Sequence, residues 1–316
     1  MVETTTSRLT LLRLPMLVSE LLSIAAAVCI ALSGMLIAEL RGRVRVLTLT
    51  RWQMTAAFFM TAVASLVVGG WRSIDPWQLS LLAASGFFGI IIGGITYFAA
   101  IYAAGARTAA LLFSLTSPFA LLLGYVFLDE VVTAQQGLGI GLVLIGIVMA
   151  VGRPERLETV MTAPGVTRPA KLPWLGIACG TTTALCQALG VLLARPAMAA
   201  GAEPFTAMAI RAGIGALFFS LLVTLPFVAR ATATSQSPSI KSRAIAFSAA
   251  FFGTALGTCL LLAALAHGNV GIVATLSSMT PIVILPMIWI RTGLRPVATA
   301  WLGAFFAVVG TALISL

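Results

Sequence analysis

Charge is scarce in this sequence. Only 9% of its 316 residues are Asp, Glu, Lys or Arg, and nine of them are acids, whereas 60% of the chain is hydrophobic. With a mean hydropathy of +1.08, too little polar surface exists to cover a water-soluble core of this length. That excludes a soluble globular protein and leaves an integral, polytopic membrane protein. Histidine is scarcer still, with His267 standing alone at the end of an apolar run, where hydrogen bonding or capping is its expected role. One histidine and four cysteines (Cys29, Cys179, Cys186, Cys259) scattered through apolar runs give no metal-ligand spacing. No metal or cofactor is expected, and the cysteines read as small buried apolar side chains. There is no phosphate loop, no pair of carboxylates at mid-depth and no nucleophile with a histidine base, so an enzyme is not expected. A basic patch interleaved with aromatics is also missing. The net charge of +10 is carried between apolar runs, which suits membrane orientation and not nucleic acid.

Long apolar runs are what the chain does have. Ten reach spanning length, at about 17–40, 49–70, 78–103, 108–128 and 134–151 in the first half, and 174–195, 205–228, 244–266, 270–290 and 297–315 in the second. Residues 1–16 form a polar, then basic, N-terminal tail. The apolar segment that follows is too long for a signal-peptide core and is expected to be retained as the first span. Residues 152–173 hold Pro154, Pro164, Pro169 and Pro173 among charged residues, as in an exposed linker. The expected fold is all-α, with ten transmembrane helices split into halves 17–151 and 174–316.

The halves repeat. Arg51 and Arg211 each stand at the start of a second span, and the third spans end in AAIYAAGA from Ala99 and AALAHGNV from Ala263. The fourth spans carry SLTSP from Ser114 and SSMTP from Ser277, and the fifth carry Gly139 with Gly146 and Gly303 with Gly310, both pairs seven apart. Because each copy has an odd number of spans, the copies are expected to lie in opposite orientation about an axis in the membrane plane, with the substrate site between them.

That order of features resembles the EamA-like branch of the drug/metabolite transporter superfamily over essentially the whole chain. It comprises an arginine in the second span, an alanine-rich end to the third, a proline in the fourth, then Leu128-Asp129-Glu130-Val131-Val132-Thr133 and Gly137-Leu138-Gly139 through Gly146. On this resemblance the family's fourth-span proline falls on Pro118 and Pro281, and the acid after that span on Glu130. The second copy lacks the matching acid, having Gly293 and Leu294 there. The resemblance implies a transporter of a small polar or amphipathic metabolite, with amino-acid export foremost, in a cell membrane such as the bacterial inner membrane. Its partners would be a small-molecule substrate and the lipid bilayer, and the chain would be a monomer or homodimer.

Charge gives an orientation. Arg8, Arg13, Arg72, Arg195 and Arg211 fall on one side of the ten-span arrangement, and the other fourteen of the nineteen basic residues on the opposite side. The positive-inside rule then places both termini outside the cytoplasm, whereas the resemblance implies both inside.

The candidate site residues are polar groups in mid-span. Thr96 and Tyr97 lie on the third span, Ser114 and Ser117 on the fourth, Gln187 on the sixth, and Thr275 and Ser278 on the ninth. Each serine or threonine pair is three apart and would share a helix face, lining a cavity unless its hydroxyls bond back to their own helix. Pro118 is expected to free a carbonyl one turn back, beside the serines, and Pro281 repeats it. Glu20, about one turn inside the first span, is either a proton-coupling carboxylate or an interfacial glutamate. Arg51 and Arg211 could attract an anion, hold a gate by pairing with Glu39 or Glu203, or snorkel to the headgroups. The GxxxG pairs Gly89/Gly93, Gly253/Gly257 and Gly137/Gly141 are expected to pack helices, and Gly303 and Gly310 to join the fifth and tenth spans. These features suit alternating-access transport. A lipid or lipid-linked carrier with a lateral opening, and a non-transporting sensor or scaffold, are the alternatives.

Overall fold

A computed structural model describes residues 2–128, 133–151, 173–225, 239–267, 273, 276–277, 279–293 and 295–315. Among these residues every regular element is helical: α1 (Val2–Glu39), α2 (Val46–Val68), α3 (Pro76–Ala104), α4a (Ala106–Phe113), α4b (Thr116–Leu128), α5 (Ala134–Val151), α6 (Pro173–Ala199), α7 (Pro204–Thr224), α8 (Ile240–Ala266), α9 (Thr280–Thr292) and α10 (Ala298–Ser315). Seven stretches are long and apolar enough to cross a membrane, one of them, Ala106–Leu123, running through α4a into α4b, and three shorter apolar helices, Ala134–Met149, Ile282–Arg291 and Ala298–Leu313, stand where the fifth, ninth and tenth spans are expected. Asp129 and Glu130 lie outside the described residues.

Local chemistry sets the helix starts. Asp75 and Pro76 open α3 through a capping box in which Asp75 N donates to Gln78 Oε1 at 2.9 Å. Glu203 and Pro204 open α7 with a side-chain cap: the Glu203 carboxylate accepts from Phe205 N at 2.8 Å, from Thr206 N at 2.6 Å and from the Thr206 hydroxyl at 2.7 Å. Glu203 is therefore a cap, and the alternative in which it pairs with Arg211 finds no ion pair among the described residues. Glu203→Ala is expected to cost about 1–2 kcal/mol, read as earlier thermal unfolding of the purified protein, with Glu203→Gln losing less because it keeps an acceptor.

Helix contacts fall into pairs that exchange under the repeat. α2 packs on α7, α5 on α10, α1 on α8, and α6 on α3. All four run antiparallel. Ser65 Oγ meets Thr206 Oγ1 at 2.6 Å while Met54 lies by Gly215, which fixes α2 against α7. A Cβ at Gly146 would meet Gly303 O, and one at Gly310 would meet Gly139 O, which fixes α5 against α10. A helix antiparallel to its own repeat mate is the mark of inversion, because repeats of like orientation would set α2 and α7 parallel. The expected glycine contact of the fifth and tenth spans is present in full. Gly137 and Gly141 are a correction: a Cβ at either meets nothing within 4 Å, because the α5 face toward α10 carries Gly139 and Gly146 instead.

The ends of the bundle are also tied. Glu39, closing α1, forms an ion pair with Arg291 near the end of α9, and not with Arg51, one of the alternatives the sequence left open. Arg41 Nη2 reaches Ala103 O at 3.5 Å, so the arginine-rich α1–α2 turn sits at the same end as the last turn of α3.

Candidate functional site

The repeat leaves two irregularities in its longest helices. α3 opens into a π-helical segment at Phe87–Ile92, and α8 at Ala250–Gly257. Gly89 and Gly93 in α3 correspond to Gly253 and Gly257 in α8, so the widened turns sit at matching places, as π segments at functional sites commonly do. The glycines do serve close contact, as their spacing suggests. A Cβ on Gly190 of α6 would stand 3.0 Å from Gly89 Cα, and one on Gly253 would meet the Ser33 side chain of α1. The hydroxyls that lock these crossings have changed sides: Ser85 of α3 donates to Gly190 O of α6 at 2.5 Å, whereas Ser33 of α1 donates to Ala249 O of α8 at 2.8 Å.

A cavity of about 90 Å³ lies between the two π segments. Its wall takes Ile30 and Ser33 from α1, Met54 from α2, Gly89, Gly93, Tyr97 and Phe98 from α3, Phe113 from α4a, Thr183 and Gln187 from α6, and Gly253, Thr254 and Thr258 from α8. A second chamber of about 50 Å³ is lined by Phe113, Thr116, Ser117 and Ala120 from the α4a–α4b region, Gln187, Ala188 and Val191 from α6, Leu261 and Leu265 from α8, and Val273 and Ser277. Phe113 and Gln187 belong to both, so they form the partition. The Tyr97 ring stands edge-on to Phe113, with centroids 6.0 Å apart.

The fourth span is broken where Ser114 and Leu115 make three-residue hydrogen-bonded turns, N to Leu111 O and Leu112 O at 3.0 Å each. The expectation that Ser114 and Ser117 share one helix face is thereby corrected, since they stand on opposite sides of the break. Pro118 falls in the first turn of α4b, where a missing N–H is harmless, and the carbonyl it was expected to free, Ser114 O, accepts from Ser117 N at 3.4 Å. In the second repeat α9 likewise starts at Thr280 with Pro281 in its first turn. Thr280 Oγ1 donates to Ser277 O at 2.9 Å.

The structure brings Tyr97, Ser117 and Gln187 to the chambers. Thr96 stands behind them, bonded to Ile92 O at 2.8 Å and to the Thr183 hydroxyl at 2.8 Å. Ser114 is 1% exposed and its hydroxyl has no partner among the described residues. Thr275 and Ser278 lie outside the described residues. Glu20 is half-buried and lines neither chamber. Neighbouring Ser19 bonds Ala264 O of α8 at 3.0 Å.

The repeat-related arginines have diverged. Arg51 lines a lateral groove of about 710 Å³ with Trp52, Thr55 and Phe59 of α2, Ser220 of α7, and Arg243 and Phe247 of α8. Phe59 and Phe247 are exposed, so the groove faces outward from the bundle. Arg211 is 1% exposed, seven residues into α7 from Pro204. That depth overturns snorkelling for it and removes it from the charge count of either side.

The two halves of the chain, residues 17–152 and 174–316, each match the model of the EamA-like transporter family. The chain belongs to that family. The fold of this EamA-like transporter is also that of a protein of solved crystal structure, at a TM-score of 0.66 and 18% identity, covering 93% of this chain and 95% of that one. Twenty-three solved chains match it in all, and no curated protein does. Membership confirms the resemblance drawn from the arginine, proline and glycine order, and makes the protein a multi-pass membrane protein of the drug/metabolite transporter superfamily.

Six polar residues of the EamA-like transporter's chambers escaped the list of candidates: Ser33, Thr116, Thr183, Thr254, Thr258 and Ser277. Ser277 carried a signal, since it aligns with Ser114 in the repeated SLTSP and SSMTP words. Thr183 sits in a TTT run with no partner in the other half, so only the folded helix distinguishes it from Thr181 and Thr182.

Proposed function

We propose that this protein is a secondary transporter that carries a small amphipathic metabolite, by alternating access, between two inverted five-span repeats. The observation that carries the proposal is the pair of chambers at the repeat interface, partitioned by Phe113 and Gln187 and lined by Ser117 and Ser277 from the duplicated polar words. Chambers of about 90 and 50 Å³ are far below the ~300–1,000 Å³ of an open ligand pocket. This conformation is thus a closed-down one, and rocking of one repeat on the other would enlarge the site toward either side. The lining of hydroxyls, an amide and aromatic rings suits a solute with an apolar part, and a metabolite such as an amino acid moving outward is the form this proposal takes. The three shorter helices complete ten spans in it.

The test is flux. Purified protein in liposomes, offered pooled labelled metabolites with and without a pH gradient, is expected to accumulate at least one pool above protein-free vesicles, and silence across all pools would remove the proposal. The same vesicles decide proton coupling. Because Glu20 lines neither chamber, Glu20→Gln is expected to leave the effect of the gradient unchanged. Loss of that effect would make Glu20 the coupling carboxylate.

A second reading, a lipid or lipid-linked carrier, is favoured by the lateral groove, where two arginines stand above exposed phenylalanines. Accelerated exchange of fluorescent phosphatidylglycerol between leaflets, lost in Arg51→Gln with Arg243→Gln, would select it over solute transport.

A further inference from the structure

Arg211 is the largest of the fully buried side chains, and it is charged. Its Nε and Nη2 have no hydrogen-bond partner among the described residues. Glu203, the acid closest in sequence, is spent on the α7 cap, and Glu39 is paired with Arg291. An unpaired cation inside a membrane bundle is costly, and so are unmade donors. A chain that keeps such a group there has a use for it.

Its position says what the use is. A Cβ at Gly89 would stand 2.9 Å from Arg211 Nη2 and 3.7 Å from Gln187 Oε1, and Gly89 lines the larger chamber. The missing side chain at Gly89 is what separates the guanidinium from the void. Across the same chamber a second donor is orphaned. Gln53 of α2 is 0% exposed; its Oε1 accepts from Thr254 Oγ1 at 3.3 Å, and its Nε2 has no partner among the described residues. Thr254, like Gly89, lines the chamber and sits in the opposite π segment. Two buried sets of unmade N–H donors, one of them cationic, thus stand directly behind lining residues of a single void, Gly89 and Thr254, and no described acid lines that void. Donors without acceptors call for a ligand made of acceptors. One cation calls for one negative charge, and the void is small. Arginine's planar fork matches a carboxylate.

We infer that the transported solute is a monocarboxylate whose carboxyl group docks on Arg211 beside Gly89, with Gln53 of α2 donating from beside Thr254 of the other π segment. This rests on the transport proposal for its purpose but not for its test, which reads binding. The full chain in nanodiscs is titrated with 3-phenylpropionate, 4-methylpentanoate, L-phenylalanine and L-leucine, each beside its primary carboxamide, and the thermal unfolding midpoint is followed. At least one acid is expected to raise the midpoint saturably, with its carboxamide weaker by about tenfold or more. Arg211→Gln is expected to erase the difference between acid and amide, and Arg211→Lys to retain part of it. Amides equal to acids on the wild-type protein would overturn the inference, as would no response to any acid or an undiminished acid response in Arg211→Gln. If Arg211→Gln does not fold, Gln53→Leu takes its place and is expected to weaken the acid several-fold while leaving the amide unchanged, and an unchanged acid response there overturns the inference. Acid-selective binding without flux in liposomes would sink the transport proposal alone, whereas flux without acid selectivity would sink this inference alone.

Discussion

Replacing Gly146 by valine is expected to separate α5 from α10, while valine at Gly141 on the same helix leaves the protein intact. A Cβ at Gly146 would lie 2.5 Å from Gly303 O and 2.8 Å from Ala307 N, both backbone atoms of α10. Ordinary carbon contacts need about 3.5 Å, so the two backbones would have to part by roughly 1 Å. No rotamer relieves this, since the clash begins at Cβ. The repeat makes it symmetric: a Cβ at Gly310 would lie 2.5 Å from Gly139 O and 2.7 Å from Val143 N. In lipid there is no hydrophobic drive to hold two helices that no longer fit, and contact at small residues is what joins them. Overpacking usually costs about 1–3 kcal/mol, and backbone clashes at a crossing belong at the top of that range. The unfolding midpoint in detergent should fall by several degrees, on the order of 5 °C. At Gly141 a Cβ meets nothing within 4 Å, and losing a helical glycine is mildly favourable. Equal drops for the two variants would refute the pairing of α5 with α10 through these glycines.

The same glycines show what was legible in the sequence. Gly139 and Gly146 against Gly303 and Gly310 could be read as a contact because the spacing recurs in both halves, and a repeated spacing selects a face. Gly137 and Gly141 offered only a four-residue spacing, and on a helix apolar all round nothing else in the sequence tells the face toward protein from the face toward lipid. The architecture was readable for the same reason: duplication of Arg51 with Arg211, and of SLTSP with SSMTP, requires no knowledge of contacts. What duplication hides is divergence. Arg51 and Arg211 were one feature in the sequence, yet one lines an outward groove and the other is sealed behind Gly89. The difference comes from neighbours on α3 and α8 far away in the chain. The π segments were illegible as well. Their glycine pairs look like any close-contact motif, and the extra residue per turn is imposed by how α3 and α8 meet α6 and α1.

Gln187→Leu is expected to abolish transport while the protein still folds. Among the described residues Gln187 is the one polar side chain that touches both chambers, and with Phe113 it forms the wall between them. Any solute passing from one repeat's polar patch to the other must cross that wall, so the amide meets it in every occluded state. A primary amide offers two donors and an acceptor, and one hydrogen bond to a charged group is worth about 1.5–3 kcal/mol. Losing it lowers occupancy of the occluded state by roughly 10- to 150-fold. Leucine nearly fills the same volume and has no unmet polar group, so the unfolding midpoint should hold or rise slightly. Thr96→Val is the matched control. Thr96 touches neither chamber and spends its hydroxyl on its own helix and on Thr183, so its flux should fall no more than about twofold, the effect of one modest hydrogen bond at a distance. Ser117→Ala should fall between the two, because its hydroxyl lines only the smaller chamber. Flux in reconstituted vesicles decides the order: if Thr96→Val were as damaging as Gln187→Leu at equal folded protein, the Phe113–Gln187 partition would not be on the solute's path.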